Sequence, residues 1–167
     1  MSKKPKAPVT AALRALRQHH IAHSEHLYPY EERGGAEHAA RCLDVDLHQM
    51  IKTLVFEDET GQPLLVLMHG EREVAVGLLA RSIGAKRVAP CAPETASKHT
   101  GYLVGGTSPF GTRKQMPDYI EKTIRDLPLI YVNGGKRGFL VALQPADLDS
   151  ILTPHYVEVS APHHSTP

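Results

Sequence analysis

Two apolar runs, Ile51-Lys-Thr-Leu-Val-Phe56 and Pro63-Leu-Leu-Val-Leu-Met68, are separated only by the turn segment Glu57-Asp-Glu-Thr-Gly61 and Gln62. The first run is rich in β-branched and aromatic residues, and the acidic spacer ending in glycine is turn chemistry, so the pair predicts a central hairpin. Neither run, nor Val74 to Ala80, approaches the roughly 20 residues that a membrane span requires. The hairpin must therefore be buried in protein. A chain of 167 residues, 41% hydrophobic and 22% charged, fits one domain with a true core and excludes disordered and collagen-like classes.

Around that hairpin the pattern alternates between helix and strand. Residues 1–9 hold three Lys and two Pro and are expected to be a flexible basic arm. Thr10 is placed to cap a helix over 10–19 with Ala11, Leu13 and Leu16 on one face. Ile21 to Tyr28 reads as a short strand, Pro29 to Gly35 as a loop, and Ala36 to Leu43 as a second helix followed by a turn at Leu47 to Met50. Val74 to Ile83 has helical period and ends at Gly84, and Arg87 to Ala89 reads as a strand. Pro90 to Ala96 reads as a loop with at most one helical turn, and Gly101 to Gly111 as a glycine-dense, strand-like run whose backbone must be closely approached. Tyr119 to Ile124 suggests a short helix or turn. Leu129 to Asn133 and Phe139 to Leu143 are strands joined by the tight turn Gly134-Gly-Lys-Arg-Gly138. A helix at Pro145 to Leu152, a strand at His155 to Val159 and a frayed tail over 160–167 complete the chain. With no internal repeat and no linker, the expectation is a single α+β domain over 10–159, built on a mixed sheet.

Charge and composition narrow the partners. Nineteen basic and 18 acidic residues leave a net charge of +1, so any nucleic acid must be held by a local patch. There is no Trp and only three Phe and six Tyr, which disfavours an aromatic platform for stacked bases. Cys42 and Cys91, 49 positions apart and outside any C-x-x-C motif, suit a reducing compartment, and the start lacks an apolar signal region. A cytoplasmic location is expected.

Several segments carry candidate chemistry. His19, His20, His23 and His26 crowd one region but form no complete zinc set, and His163-His164 reads as tail, so no metal is assigned. Gly106-Thr-Ser108-Pro-Phe-Gly111 approaches a nucleophile elbow, yet Phe110 stands where G-x-S-x-G needs glycine and Pro109 lacks an N–H; a serine esterase using Ser108 is kept as a minor alternative. The same segment is no Walker loop, although Gly105 to Ser108 is either a concave phosphate nest or a plain bulged turn. Lys52 shares a strand face with Leu54 and Phe56. It either snorkels over them or points into a pocket to meet a phosphate or carboxylate. Lys136 and Arg137, at a hairpin tip, are either solvated or in contact with a polyanion.

Ile51-Lys52-Thr53-Leu54, Gly101-Tyr-Leu-Val-Gly-Gly-Thr-Ser-Pro-Phe-Gly111 and Tyr131-Val-Asn-Gly-Gly-Lys-Arg-Gly138 together resemble the YbaK-type proteins, free-standing relatives of the editing domain inserted in bacterial prolyl-tRNA synthetases. The resemblance runs from about Thr10 to about Val159. It implies a strongly curved, partly open barrel-like mixed sheet with surrounding helices. It also implies deacylation of mischarged tRNA(Pro), above all Cys-tRNA(Pro), without cofactor or protein nucleophile: the substrate's own thiol attacks the ester. Such a second sieve is needed because a pocket rejects so small a difference as cysteine against proline by only about 1–3 kcal/mol.

Residue by residue, the resemblance makes Lys52 and Gly105 the catalytic pair, Lys52 holding the terminal phosphate or the ester and Gly105 opening a G-x-x-x-P loop that ends at Pro109. Tyr28, Thr53, Gly106, Thr107, Ser108, Pro109 and Asn133 would bind substrate, and Lys136 and Arg137 would touch tRNA. Asn133 stands where the family often has serine. Gly35 occupies the place of a pocket phenylalanine, after a two-residue deletion, and Leu140 that of an acidic residue. The implied partners are the aminoacylated 3′ end of tRNA and prolyl-tRNA synthetase. The alternatives are a non-catalytic tRNA- or nucleotide-binding module and editing of another amino acid such as alanine.

Overall fold

The protein was analysed as a computed structural model, which describes residues 6–162. The two apolar runs pair as expected: β2 (Met50–Asp58) and β3 (Pro63–His69) form an antiparallel ladder from Ile51 with His69 to Glu57 with Pro63. All seven β3 residues are buried because both faces of that strand are covered, which is why its sequence is continuously apolar and does not alternate. The mixed sheet has eight strands in the order β1 (Ser24–Leu27), β8 (Phe139–Leu143), β7 (Ile130–Lys136), β2, β3, β6 (Asp118–Glu121), β9 (Pro154–Val157), with β5 (Val88–Pro90) pairing the far end of β2. Ladders β2 to β7, β3 to β6 and β6 to β9 are parallel, and the rest are antiparallel. The path ends on β1 and β9, so the sheet is open.

Strand alternation sends side chains to two faces. On one face Ile51, Leu67, Ile120, Ile130, Val132, Phe139 and Val141 pack under Ala12, Leu13 and Leu16 of α1 (Ala11–Gln18), with Tyr102 and Phe110. The other face is divided. Phe56, Leu64, Val66 and Met68 lie under Leu79 and Ala80 of α3 (Val76–Ile83), whereas Met50 and Leu140 lie under Ala39 and Ala40 of α2 (Gly35–Leu43). α1 begins where Thr10 predicts: its hydroxyl accepts from Leu13 N at 3.0 Å and donates to Gly134 O at 2.5 Å, so the cap also anchors the β7–β8 hairpin. Among the described residues no helix is long and apolar enough to cross a membrane.

Several expectations are corrected. Pro93–Thr100 is a full helix, α4, with Pro93 opening it and Gly101 (φ 81°) closing it; its buried Ala96 and Thr100 sit four apart, a period too sparse to stand out in so polar a segment. Gly101 to Gly111 contains no strand. It is a loop, but the expected close approach holds: a Cβ on Gly106 would come within 2.7 Å of Arg137 N and one on Gly111 within 2.6 Å of Ala11 O, and Gly101, Gly105 and Gly111 also take positive φ. Tyr119 to Ile124 is not helical at its start, because β6 is held between β3 and β9; a 3₁₀ turn (Lys122–Asp126) follows. Val74 belongs to β4 (Arg72–Val74), and α3 begins two residues later. The Pro145 helix is a 3₁₀ turn leading into α5 (Leu148–Ile151). Order continues past 159, since β10 (Ser160–Pro162) pairs antiparallel with β4. At the other end, Ala7 packs on the α1 core, so the arm over 1–9 is seated at its inner end. Residues 1–5 and 163–167, including His163 and His164, lie outside those described.

Candidate functional site

The divided face of the sheet leaves one strand position between its two apolar clusters, and Lys52 occupies it. Met50 belongs to the cluster under α2 and Leu54 packs against the cluster under α3. Lys52 is half-buried, and its ammonium donates to Arg72 O at 2.5 Å. Burial pushes it below the ordinary lysine value, and Glu73 and Glu71 pull it back up. Its near partner is thus a carbonyl of β4, with two carboxylates acting through space. Thr53 alternates to the opposite face, where its buried hydroxyl has no hydrogen-bond partner.

Register extends the site sideways. Leu140 stands opposite Asn133, and Lys52 opposite Met68. Asn133 and Lys52 each follow the last pair of the parallel β2–β7 ladder, Ile51 with Val132, so Leu140, Asn133, Lys52 and Met68 form a row across four strands. The amide of Asn133 is engaged at both its oxygen and its nitrogen. Its Oδ1 accepts from Gly135 N (2.7 Å) and Lys136 N (3.2 Å), and its Nδ2 donates to Gly105 O at 3.1 Å. Asn133 therefore positions the glycine loop over the row.

The loop is held tightly from the other side too. Arg137 Nε donates to Val104 O at 2.9 Å while its guanidinium lies 5.2 Å from the centre of the Tyr30 ring. A Cβ on Gly105 (φ 93°) would come within 2.8 Å of the Tyr30 hydroxyl, and one on Gly106 within 2.7 Å of Arg137 N. Leu103, Val104 and Gly105 are exposed, whereas Gly106 through Pro109 turn inward and are buried. Residues 103–105 are thus the solvent-facing part of the loop, with the carbonyls of Leu103, Val104 and Gly105 each held from within the protein. Thr107 Oγ1 reaches back to Leu103 O at 3.5 Å. Ser108 is fully buried and accepts from Phe110 N at 3.2 Å, so this hydroxyl is a structural acceptor and the esterase alternative loses its nucleophile.

Tyr28, at the end of β1, has its N–H on Gly138 O, its ring edge-on to His38 at 6.0 Å, and its phenol pushed up by burial. Tyr30, one strand period on and not chosen from the sequence, is the tyrosine that meets Gly105; only its nearness to Tyr28 signalled it. Gly35 opens α2 at φ 60° with nothing near its missing Cβ, and Leu140 is buried under α2.

The histidines of 19–26 do not converge. His19 bonds Ala15 O, His23 bonds Ile21 O, and His26 bonds the Ser24 hydroxyl. A different group does: ligand atoms of His48, His69 and Glu71 lie within 4.8 Å of one another. His69 must donate from Nδ1 to His48 O and accept at Nε2 from the Thr123 hydroxyl, and its ring is stacked on His48 at 3.7 Å, so both its nitrogens are already used within the protein. Burial also pushes the His69 imidazole below its ordinary value.

Comparison with known proteins gives this geometry a context. A family model described as an aminoacyl-tRNA editing domain matches residues 31–151. The chain is 30% identical over 161 residues, covering 96% of itself and 98% of the relative, to an Enterococcus faecalis protein named "Putative Cys-tRNA(Pro)/Cys-tRNA(Cys) deacylase EbsC". It is 27% identical over 86 residues to the proline--tRNA ligase of Brachyspira hyodysenteriae, covering 52% of this chain and 15% of the ligase. A solved structure described as "a putative trans-editing enzyme for prolyl tRNA synthetase" shares the fold, with a TM-score of 0.80 at 24% identity over 93% of this chain and 99% of that one.

Proposed function

Because this chain belongs to the aminoacyl-tRNA editing domain family, we propose that it is a trans-acting deacylase that removes cysteine from tRNA(Pro), with no nucleophile of its own. The observation that carries the reading is the pairing of a half-buried ammonium, Lys52, with a glycine loop that presents backbone, not a hydroxyl, above the same row of the sheet. Lys52 exchanges its bond to Arg72 O for a bond to the terminal phosphate or ester oxygen of the substrate. The exposed backbone around Gly105 orients the aminoacyl group, and Asn133 and Arg137 keep that backbone in place.

The chemistry then belongs to the substrate. The cysteinyl sulfur attacks its own carbonyl carbon, a C–S bond forms as the C–O bond to the ribose breaks, the thiol proton ends on the departing ribose oxygen, and the cysteine leaves as a thiolactone. A protein that only positions an ester needs proximity more than an activated base. Leu140 beside Asn133 makes that part of the row apolar, which suits a small side chain such as cysteine. The enzyme works in the cytoplasm on the 3′ end of tRNA, with prolyl-tRNA synthetase as the partner that delivers it.

The test is a deacylation panel of Cys-, Ala-, Ser- and Pro-tRNA(Pro) with the purified protein. Cys-tRNA(Pro) is expected to be cleared fastest, and Ser-tRNA(Pro) poorly, since a hydroxyl is a much weaker nucleophile than a thiol. Preference for Ala-tRNA(Pro) or equal rates for cysteine and serine would remove the thiol mechanism. No acceleration of any species over buffer would leave a non-catalytic binding module.

A further inference from the structure

A second concavity lies beside the glycine loop, where the N-terminal segment crosses the end of the β7–β8 hairpin. It is a cleft of about 600 Å³ whose rim carries Lys6, Lys136 and Arg137 and whose lining includes Leu27, Tyr28 and Pro29. No carboxylate lines it. Among the described residues none of the three cations is in an ion pair, in contrast to Lys122, which is bridged to Glu158. Near-neutral overall charge therefore coexists with a local cluster of three positive charges that no carboxylate among the described residues bridges.

Arg137 joins this cleft to the candidate site. Its Nε holds Val104 O, next to Gly105, and the same side chain lines the cleft, so its two terminal nitrogens are further donors. The lining offers little for reading bases. Phe139 is fully buried, and Tyr30 lies under Arg137.

We infer that this cleft takes the sugar-phosphate backbone of a single-stranded RNA end and leads it past Arg137 to the Gly105 loop. The inference rests on the deacylase reading for the identity of the strand, but its physical content is separate: three phosphate-facing cations, one of them supplied by the segment before α1. Recognition of this kind is electrostatic and indifferent to sequence. Neutralising about three phosphates of a single strand gives a slope of log K against log salt of about −2, and each cation removed takes away about 0.7 of it.

The experiment measures anisotropy of a short, labelled, single-stranded oligoribonucleotide with the full chain over a salt series. Wild type is expected to bind saturably at low salt with that slope, Lys6→Gln and Lys136→Gln each to flatten it by about 0.7, and Lys122→Gln to leave it as it is. Absence of saturable binding at low salt would overturn the inference. So would slopes unmoved by Lys6→Gln and Lys136→Gln, or a Lys122→Gln effect equal to theirs, which would mean diffuse attraction. The deacylase reading fails separately. A wild type that binds with the expected slope yet clears no ester would lose that reading and keep the cleft, whereas one that clears Cys-tRNA(Pro) without the slope would keep the reading and lose the cleft.

Discussion

Asp118 opens β6, between β3 and β9, with 7% of its surface exposed. No hydrogen bond or ion pair reaches its carboxylate among the described residues, and burial alone pushes it up to about 7 from the ordinary 3.8. A carboxyl whose folded value is raised holds its proton more tightly in the folded chain. Below about pH 3.8 both states are protonated and nothing is lost. Between there and about pH 7 the unfolded chain ionises while the folded one does not, so stability falls as pH rises; beyond pH 7 the penalty is constant. Three pH units at about 1.4 kcal/mol each set a ceiling of about 4 kcal/mol, of which about 2 to 3 kcal/mol falls between pH 5 and pH 8. Asp118→Asn keeps the shape and abolishes the ionisation. Urea unfolding of both proteins at the two pH values isolates this carboxyl, because His69, Glu121 and every other titrating group are common to the pair. The variant should gain on wild type by about 2 to 3 kcal/mol on going from pH 5 to pH 8. Equal pH dependence in the two proteins would refute the argument that this carboxyl is desolvated and uncompensated.

Lys52→Ala should lower kcat/KM on Cys-tRNA(Pro) by about a hundredfold or more, as the loss of a preorganised charge does, while circular dichroism shows a folded chain; full activity would remove Lys52 from the mechanism. Ser108→Ala should cost about 1–3 kcal/mol, because the buried Phe110 N–H loses its acceptor, and should retain turnover in the same assay. Lost turnover at unchanged stability would restore Ser108 as a nucleophile. Asn133→Ala should release the glycine loop and slow deacylation, with hydrogen exchange quickening at Gly135 and Lys136, whose N–H groups it leaves unpaired. Unchanged exchange there would contradict the positioning role.

The elements visible in the sequence are those whose partners are close along the chain. Thr10 and the apolar period after it specify α1 locally, and the acidic spacer ending in Gly61 specifies the β2–β3 hairpin; the β7–β8 turn is shorter than its glycines suggest, because β7 runs on through a bulge at Gly134 and Gly135 to Lys136 and only Arg137 and Gly138 turn. β6 was obscured because its neighbours, β3 and β9, lie far away in sequence and its pairing is parallel. The glycines of 101–111 announce the close approach that Tyr30 and Arg137 make, but not that the run is a loop, which rests on the positive φ values of Gly101, Gly105 and Gly111. At the site, Lys52 stood out because an ammonium sharing a strand face with Leu54 and Phe56 must either snorkel past them or find a polar partner in a pocket. The duties of Asn133 and Ser108 were illegible, since whether an amide or hydroxyl faces a ligand or a backbone N–H depends on a loop that arrives from elsewhere in the chain.

The hydroxyl of Thr10 meets Gly134 O across 124 residues. A ribosome releases the chain from its N-terminus, so the first helix emerges long before the hairpin that its cap must hold. Closing so large a loop is slow and late, and the row at Lys52 and Asn133 cannot be complete before β7 and β8 are out. A nascent chain that stops short of β8 is therefore no hydrolase: whatever ester this protein cleaves is safe from it until that hairpin has been made.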